Sequence, residues 1–200
     1  TRYSSGSAYI FKRDGTTWSQ QARLNLSDAS QSDYFGHSVS ISGDYAIVGA
    51  YYDDDPLNSG SAYIFKRDGT SWNYQAKLTA SDASQNDRFG YSVSISGDYT
   101  IVGAYYDDDT VSNSGSAYIF KRNGTTWSEQ TKLVASDPGA SDYFGQSVSI
   151  DDSGSAIVGA PYDDDPVSNS GSAYIYNLLT SDYVKNTTLS TNEDTAITIP

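Results

Sequence analysis

Apolar residues along this chain fall in short alternating bursts, with no useful length of helical spacing. Ser38-Val39-Ser40-Ile41 alternates polar and apolar, which predicts a strand with one buried face. Ser42-Gly43-Asp44 follows as a tight turn, and Tyr45–Ala50 is more uniformly apolar, as a strand covered on both faces would be. After a polar loop over 51–60, Ser61–Arg67 sets Tyr63 and Phe65 on one face. Asp68-Gly69 is a hairpin turn, and Ser71–Thr79 carries Trp72, Tyr74, Ala76 and Leu78 in alternation. The pattern predicts four antiparallel strands, with Val39, Ile41, Ile47, Val48, Tyr63 and Phe65 buried.

This unit recurs. Gly6-Ser7-Ala8-Tyr9-Ile10-Phe11 returns from Gly60 and Gly115, and from Gly171 with Tyr176 in the last place, at offsets of 54, 55 and 56 residues. Phe35-Gly36 returns as Phe89-Gly90 and Phe144-Gly145, and Ile47-Val48-Gly49-Ala50 returns twice. Four short strands per repeat of this length is the signature of propeller blades. The expected fold is therefore all-β, with about three and a quarter blades over residues 1–177. The strand count predicts an array completed by flanking blades or by other copies of the chain. Phe35 and the glycines Gly36 and Gly49 are expected to serve the fold, the latter through close backbone approach or positive φ.

Phe-Gly followed by Gly-Ala, completed as Gly159-Ala160-Pro161, resembles the FG-GAP repeat of integrin α chains and bacterial surface proteins. The likeness is closest to a bacterial form in which a Trp-x-x-Gln-x-Lys-Leu strand precedes Asp-x-Phe-Gly. Here those pieces are Trp127–Leu133 and Asp142–Gly145. The resemblance implies an extracellular or cell-surface binding, adhesion or scaffold module with protein or glycan partners. Integrin-type repeats hold calcium in an Asp-x-Asp-x-Asp-Gly loop between the first two strands. Ser42-Gly43-Asp44 and Ser96-Gly97-Asp98 stand there in this chain, so that site does not carry over. Residues 178–200 depart from the repeat and read as a linker, with a stretch over 187–200 that resembles the first strand of a cadherin-like or Ig-like domain.

Composition narrows the chemistry. Net charge is -13, which opposes nucleic acid and anionic lipid as partners. No apolar run is long enough to predict membrane insertion. The chain has no Cys, one His and no repeated catalytic pattern, which favours a non-enzymatic role. Acidic residues cluster instead. Asp53-Asp54-Asp55 recurs as Asp107-Asp108-Asp109 and Asp163-Asp164-Asp165, and carboxylates grouped with Asn and Ser oxygens are candidate ligands for Ca²⁺. These triplets share one predicted face with the aspartates that precede Phe-Gly. Beside them, Tyr51, Tyr52, Tyr105, Tyr106 and Tyr162 are candidate stacking platforms for a carbohydrate.

Overall fold

A computed structural model describes residues 6–26, 32–53, 58–108, 111–164 and 167–177, with the backbone of 187–188. It is built of antiparallel strands. β1 (Ala8–Asp14) and β2 (Thr17–Leu24) form a two-stranded sheet. The first four-stranded blade is β3 (Val39–Ser42), β4 (Tyr45–Ala50), β5 (Ser61–Asp68) and β6 (Ser71–Leu78). The second is β7 (Ser92–Ser96), β8 (Tyr99–Ala104), β9 (Ser116–Asn123) and β10 (Thr126–Leu133). The third is β11 (Ser147–Ile150), β12 (Ser155–Ala160), β13 (Ser172–Asn177) and the two-residue β14 (Thr187–Thr188). Strands pair in chain order within each sheet, so each blade is a meander of hairpins.

The second blade buries both faces because strand alternation sends apolar side chains both ways. The rear of the first blade presents Tyr45, Ile47, Ala62, Ile64 and Leu78. The front of the second meets it with Val93, Ile95, Val102, Tyr118 and Phe120. The same match repeats one blade later, where Ile101, Ile119 and Leu133 meet Phe144, Ile150, Val158 and Tyr174. Burying each such aliphatic side chain contributes about 1.5–3 kcal/mol. Ser side chains on the innermost strands add a polar seam. The Ile95 amide donates to Ser40 Oγ and the Ile150 amide to Ser94 Oγ, both at 3.2 Å.

The repeated glycines let blades close up. A Cβ on Gly49 would lie 2.0 Å from the Gly90 carbonyl oxygen of the next blade, and one on Gly103 equally close to that of Gly145. Gly36 adopts φ 94°, as the turn after Phe35 requires. Phe35, Phe89 and Phe144 are buried beneath these turns.

Two expectations are corrected. Val39 and Ile41 are 60% and 56% exposed, whereas Val93 and Ile95 at the same repeat positions are 9% and 4% exposed. The difference is the neighbour. β7 packs on the full blade before it, while β3 is preceded only by β1–β2 among the described residues. The alternation expected from Trp72 to Leu78 also breaks. Phe65 pairs with Tyr74 and Ile64 with Ala76, so Gln75 is an unpaired bulge residue. The extra residue switches faces: Trp72 packs to the front, Ala76 and Leu78 to the rear, and Tyr74 is left exposed. The register skips Gln21 and Gln130 in the same way. Two of these glutamines have a visible purpose. Trp72 Nε1 donates to Gln21 Oε1 at 3.1 Å and Trp127 Nε1 to Gln75 Oε1 at 3.0 Å, latching each fourth strand to the preceding one.

Candidate functional site: a tyrosine row beside buried aspartate clusters

The residues that enter each first strand and leave each second strand come together at one end of the blades. Tyr34 lies 5.3 Å, ring centre to ring centre, from both Tyr51 and Tyr52. Tyr51 reaches His37 at 4.5 Å and Tyr91 of the second blade at 5.4 Å. Tyr91 then stacks on Tyr105 at 4.2 Å, and Tyr105 on Tyr106 at 4.3 Å. Tyr143 of the third blade touches Tyr105 at 5.6 Å and Tyr106 at 5.3 Å, and continues to Tyr162 at 5.4 Å. The result is one connected row of aromatic rings across three blades.

Arg88 stands against the row at the position where the other repeats carry Tyr34 and Tyr143. Its guanidinium carbon stands 3.4 Å from the centre of the Tyr52 ring and about 6 Å from those of Tyr51 and Tyr106, so tyrosine faces hold this buried cation. The row is half wet. Tyr34 and Tyr162 are exposed, and Tyr51, Tyr52, Tyr91, Tyr105, Tyr106 and Tyr143 are partly buried. Burial, then the neighbouring Tyr34 and Tyr52, pushes the Tyr51 phenol above its ordinary pKa. Burial and Tyr106 do the same to Tyr105. These hydroxyls therefore stay protonated and can donate as well as accept. Partial burial holds the His37 imidazole below its ordinary pKa.

All five tyrosines expected as platforms, Tyr51, Tyr52, Tyr105, Tyr106 and Tyr162, belong to this row. Tyr34, Tyr91, Tyr143, Arg88 and His37 join it without having been singled out. Their signal is positional: they flank Phe-Gly at the same register in successive repeats.

The leading aspartate of each triplet turns inward. Asp53, Asp107 and Asp163 are buried, at 4%, 3% and 3% exposure. The Tyr118 hydroxyl lies 2.7 Å from Asp107 Oδ2 and 2.8 Å from Asp82 Oδ1, and Lys132 Nζ bridges Asp82 and Asp107 at 2.7 and 2.8 Å. Tyr174 repeats this with Asp163 and Asp137, at 2.5 and 2.8 Å. Tyr63 donates to Asp53, which also holds Lys77 at 3.2 Å. Burial and the adjoining carboxylates push the phenols of Tyr118 and Tyr174 far above their ordinary range, so they remain donors. Asp82 feels burial pushing it up, but Lys132 and Tyr118 outweigh that and hold it below its usual value. Asp87 goes the other way: burial dominates, the Ser84 amide opposes and Asp107 adds to it, and its carboxyl rises to about 6.

Asp108 and Asp164 are exposed and accept from the backbone amides of Asn113 and Asn169, at 2.6 and 2.7 Å, closing their own loops. Asp54, Asp55, Asp109 and Asp165 lie outside the described residues. Among the described residues no group of three or more carboxylate or imidazole side chains is arranged to hold a metal. Of the described triplet aspartates, Asp53, Asp107 and Asp163 meet tyrosine hydroxyls, Asp53 and Asp107 also a lysine, and Asp108 and Asp164 meet backbone amides.

The decisive comparison is with family models: the FG-GAP repeat matches three times, over residues 18–65, 72–120 and 127–176. The chain belongs to the FG-GAP repeat family. Each match runs from the fourth strand of one blade to the third strand of the next. The FG-GAP unit here thus spans an interface between blades, taking in the Trp, the Phe-Gly turn and the Gly-Ala strand that join them. No curated protein matches the chain significantly.

Proposed function

We propose that this array is a non-catalytic binding module of an extracellular or cell-surface protein, with the tyrosine row as its ligand face. The observation that carries the reading is the continuity of the row. Rings from three repeats are held in mutual contact, half-exposed, by elements whose own packing is already satisfied. Such a surface offers large apolar area with little conformational freedom to lose on binding, and its hydroxyls supply orientation. The family resemblance supports an adhesive or scaffolding role with a protein partner. A net charge of -13 disfavours nucleic acid and anionic membranes.

A second reading, carbohydrate binding, is favoured by the exposed rings of Tyr34 and Tyr162 at the two ends of the row. The immobilised chain screened against a glycan array and an array of cell-surface ectodomains separates the two. Tyr105→Ala is expected to weaken whichever probe binds by about two- to tenfold, from the loss of roughly 0.5–1.5 kcal/mol of ring contact. Tyr74→Ala, exposed but off the row, leaves binding intact. Affinity untouched by Tyr105→Ala, or no binding to either array, defeats the proposal.

A further inference from the structure

Arg88 is a buried cation to which the fold supplies no acceptor. It is 9% exposed, and its Nη1 is sealed from water with no hydrogen-bond partner among the described residues. Other cations of the array are matched to an oxygen. Arg23 donates to Ser7 Oγ, Arg67 and Arg122 pair with Asp44 and Asp98, and Lys77 and Lys132 pair with Asp53 and Asp107. No ion pair reaches Arg88 among the described residues, although the chain has 25 acidic residues. The aspartate before it, Asp87, accepts from the Ser84 amide at 2.6 Å. Asp108, two residues after Tyr106, accepts from the Asn113 amide.

What does surround Arg88 is aromatic. The Tyr52 ring centre is 3.4 Å from its guanidinium carbon, with Tyr51 at 6.0 Å and Tyr106 at 5.9 Å. Ring faces hold the charge, but the five N–H donors of a guanidinium lie in its own plane and need a second partner. A buried charged donor without an acceptor costs free energy. The fold does not require arginine here. Tyr34 and Tyr143 fill the same place in the other repeats on the same left-handed backbone, with φ 56° against 65° for Arg88. Arginine at this position thus burdens the folded chain in a way that tyrosine would not.

We infer that Arg88 anchors one carboxylate on the tyrosine row, an aspartate or glutamate side chain presented by a protein partner. The inference rests on the row being the ligand face and adds the chemistry of what it takes. One carboxylate accepts two parallel N–H bonds from a guanidinium, and aromatic walls exclude the water that would weaken the pair. Tyr52 is only partly buried, so a change of its rotamer opens the cation to the surface. The charge of the chain then selects the partner. At net charge -13, with Asp108 and Asp164 exposed in the loops that follow Tyr106 and Tyr162, a polyanion is repelled at long range. A lone carboxylate among apolar or basic side chains is not. That favours a protein segment over an acidic polysaccharide.

The test uses a blocked peptide, Lys-Tyr-Glu-Tyr-Lys, against its counterpart with Gln in place of Glu, each titrated into the 200-residue chain by calorimetry. The Glu peptide is expected to bind about tenfold tighter. Long-range attraction to the acidic chain would favour the Gln peptide, which carries one more net positive charge, so a preference for Glu reports the local anchor. Arg88→Tyr, which installs the residue of the other repeats, is expected to abolish the preference and to raise the melting temperature of the free chain. The higher melting temperature shows that the variant folds and that arginine is not there for stability. Tyr105→Ala is expected to weaken both peptides alike, and glucuronate to displace neither. Equal binding of the two peptides, binding of neither, a preference that survives Arg88→Tyr, a lower melting temperature in that variant, or displacement by glucuronate would each overturn the inference. Equal binding that Tyr105→Ala weakens refutes the anchor and leaves the row as a ligand face; binding indifferent to Tyr105→Ala refutes the row itself.

Discussion

Lys132→Met removes the cation at the centre of the second blade's aspartate cluster while keeping most of the side chain's volume. Lys132 holds Asp82 and Asp107 at 2.7 and 2.8 Å, with its own side chain 18% exposed and those carboxylates 38% and 4% exposed. Breaking a buried ion pair costs about 3–5 kcal/mol, because the surviving charge has lost its compensation. The Asp82 share is screened by water, so Asp107 carries most of the penalty and about 3 kcal/mol is expected. For a chain of this size that lowers the melting temperature by about 6–12 °C. The loss depends on pH. Lys132 helps hold Asp82 below its ordinary 3.8, so that part of the stabilisation is present above 3.8 and disappears as pH falls through the depressed folded value. The gap between wild type and variant should therefore be full at pH 7 and narrow in acid. Differential scanning calorimetry from pH 7 down to pH 3, with exposed Lys12→Met as control, reads both effects. A shift under 2 °C at pH 7, or a gap that does not narrow as the Asp82 share is lost in acid, would refute the reasoning.

Two further outcomes are expected. Asp87 has its folded pKa raised to about 6, so its contribution is complete below 3.8 and lost as pH rises through 6; Asp87→Asn, which can still accept from the Ser84 amide, should melt above wild type at pH 7 and level with it in acid, and equal melting at pH 7 would show the carboxylate is not penalised. Gly103→Ala puts a methyl 2.0 Å from the Gly145 carbonyl oxygen of the next blade; overpacking against backbone costs about 3 kcal/mol or more, seen as a lower denaturation midpoint, and an unchanged midpoint would mean the blades shift apart freely.

The strands and their order were legible because two-residue alternation and paired turn residues are local properties. Tyr45–Ala50 is assigned with the same limits by pattern and by structure. What alternation could not convey was the neighbour. Val39 and Val93 occupy the same place in the repeat, yet one faces water and the other a preceding blade. Nor does alternation reveal a bulge, which moves a residue between faces without altering composition; Gln75 is marked as one only by the Trp127 indole that reaches it from the next repeat. The site divided similarly. Tyrosines adjacent in the chain, such as Tyr105 and Tyr106, were recognisable as a pair, but their contact with Tyr143 depends on how blades stack. The aspartate triplets read as candidate Ca²⁺ ligands because their negative charge is visible in sequence, whereas the contacts of their leading members are not. The donors that occupy the described carboxylates, Tyr118 and Lys132 for Asp107, lie on later strands and arrive only through folding.

The Trp–Gln latch bears on how such an array can change over evolutionary time. Because Trp127 meets Gln75 as Trp72 meets Gln21, each unit brings one half of the latch for its predecessor and one for its successor. A unit of about 55 residues, copied or deleted in register, would leave every remaining junction chemically unchanged. Recombination between repeats could thus alter the number of units without any junction being reinvented, while a cut out of register would separate Trp from Gln and expose an unlatched edge. Selection on length would act on whole units, and point substitutions at Trp and Gln would be tolerated only in compensating pairs.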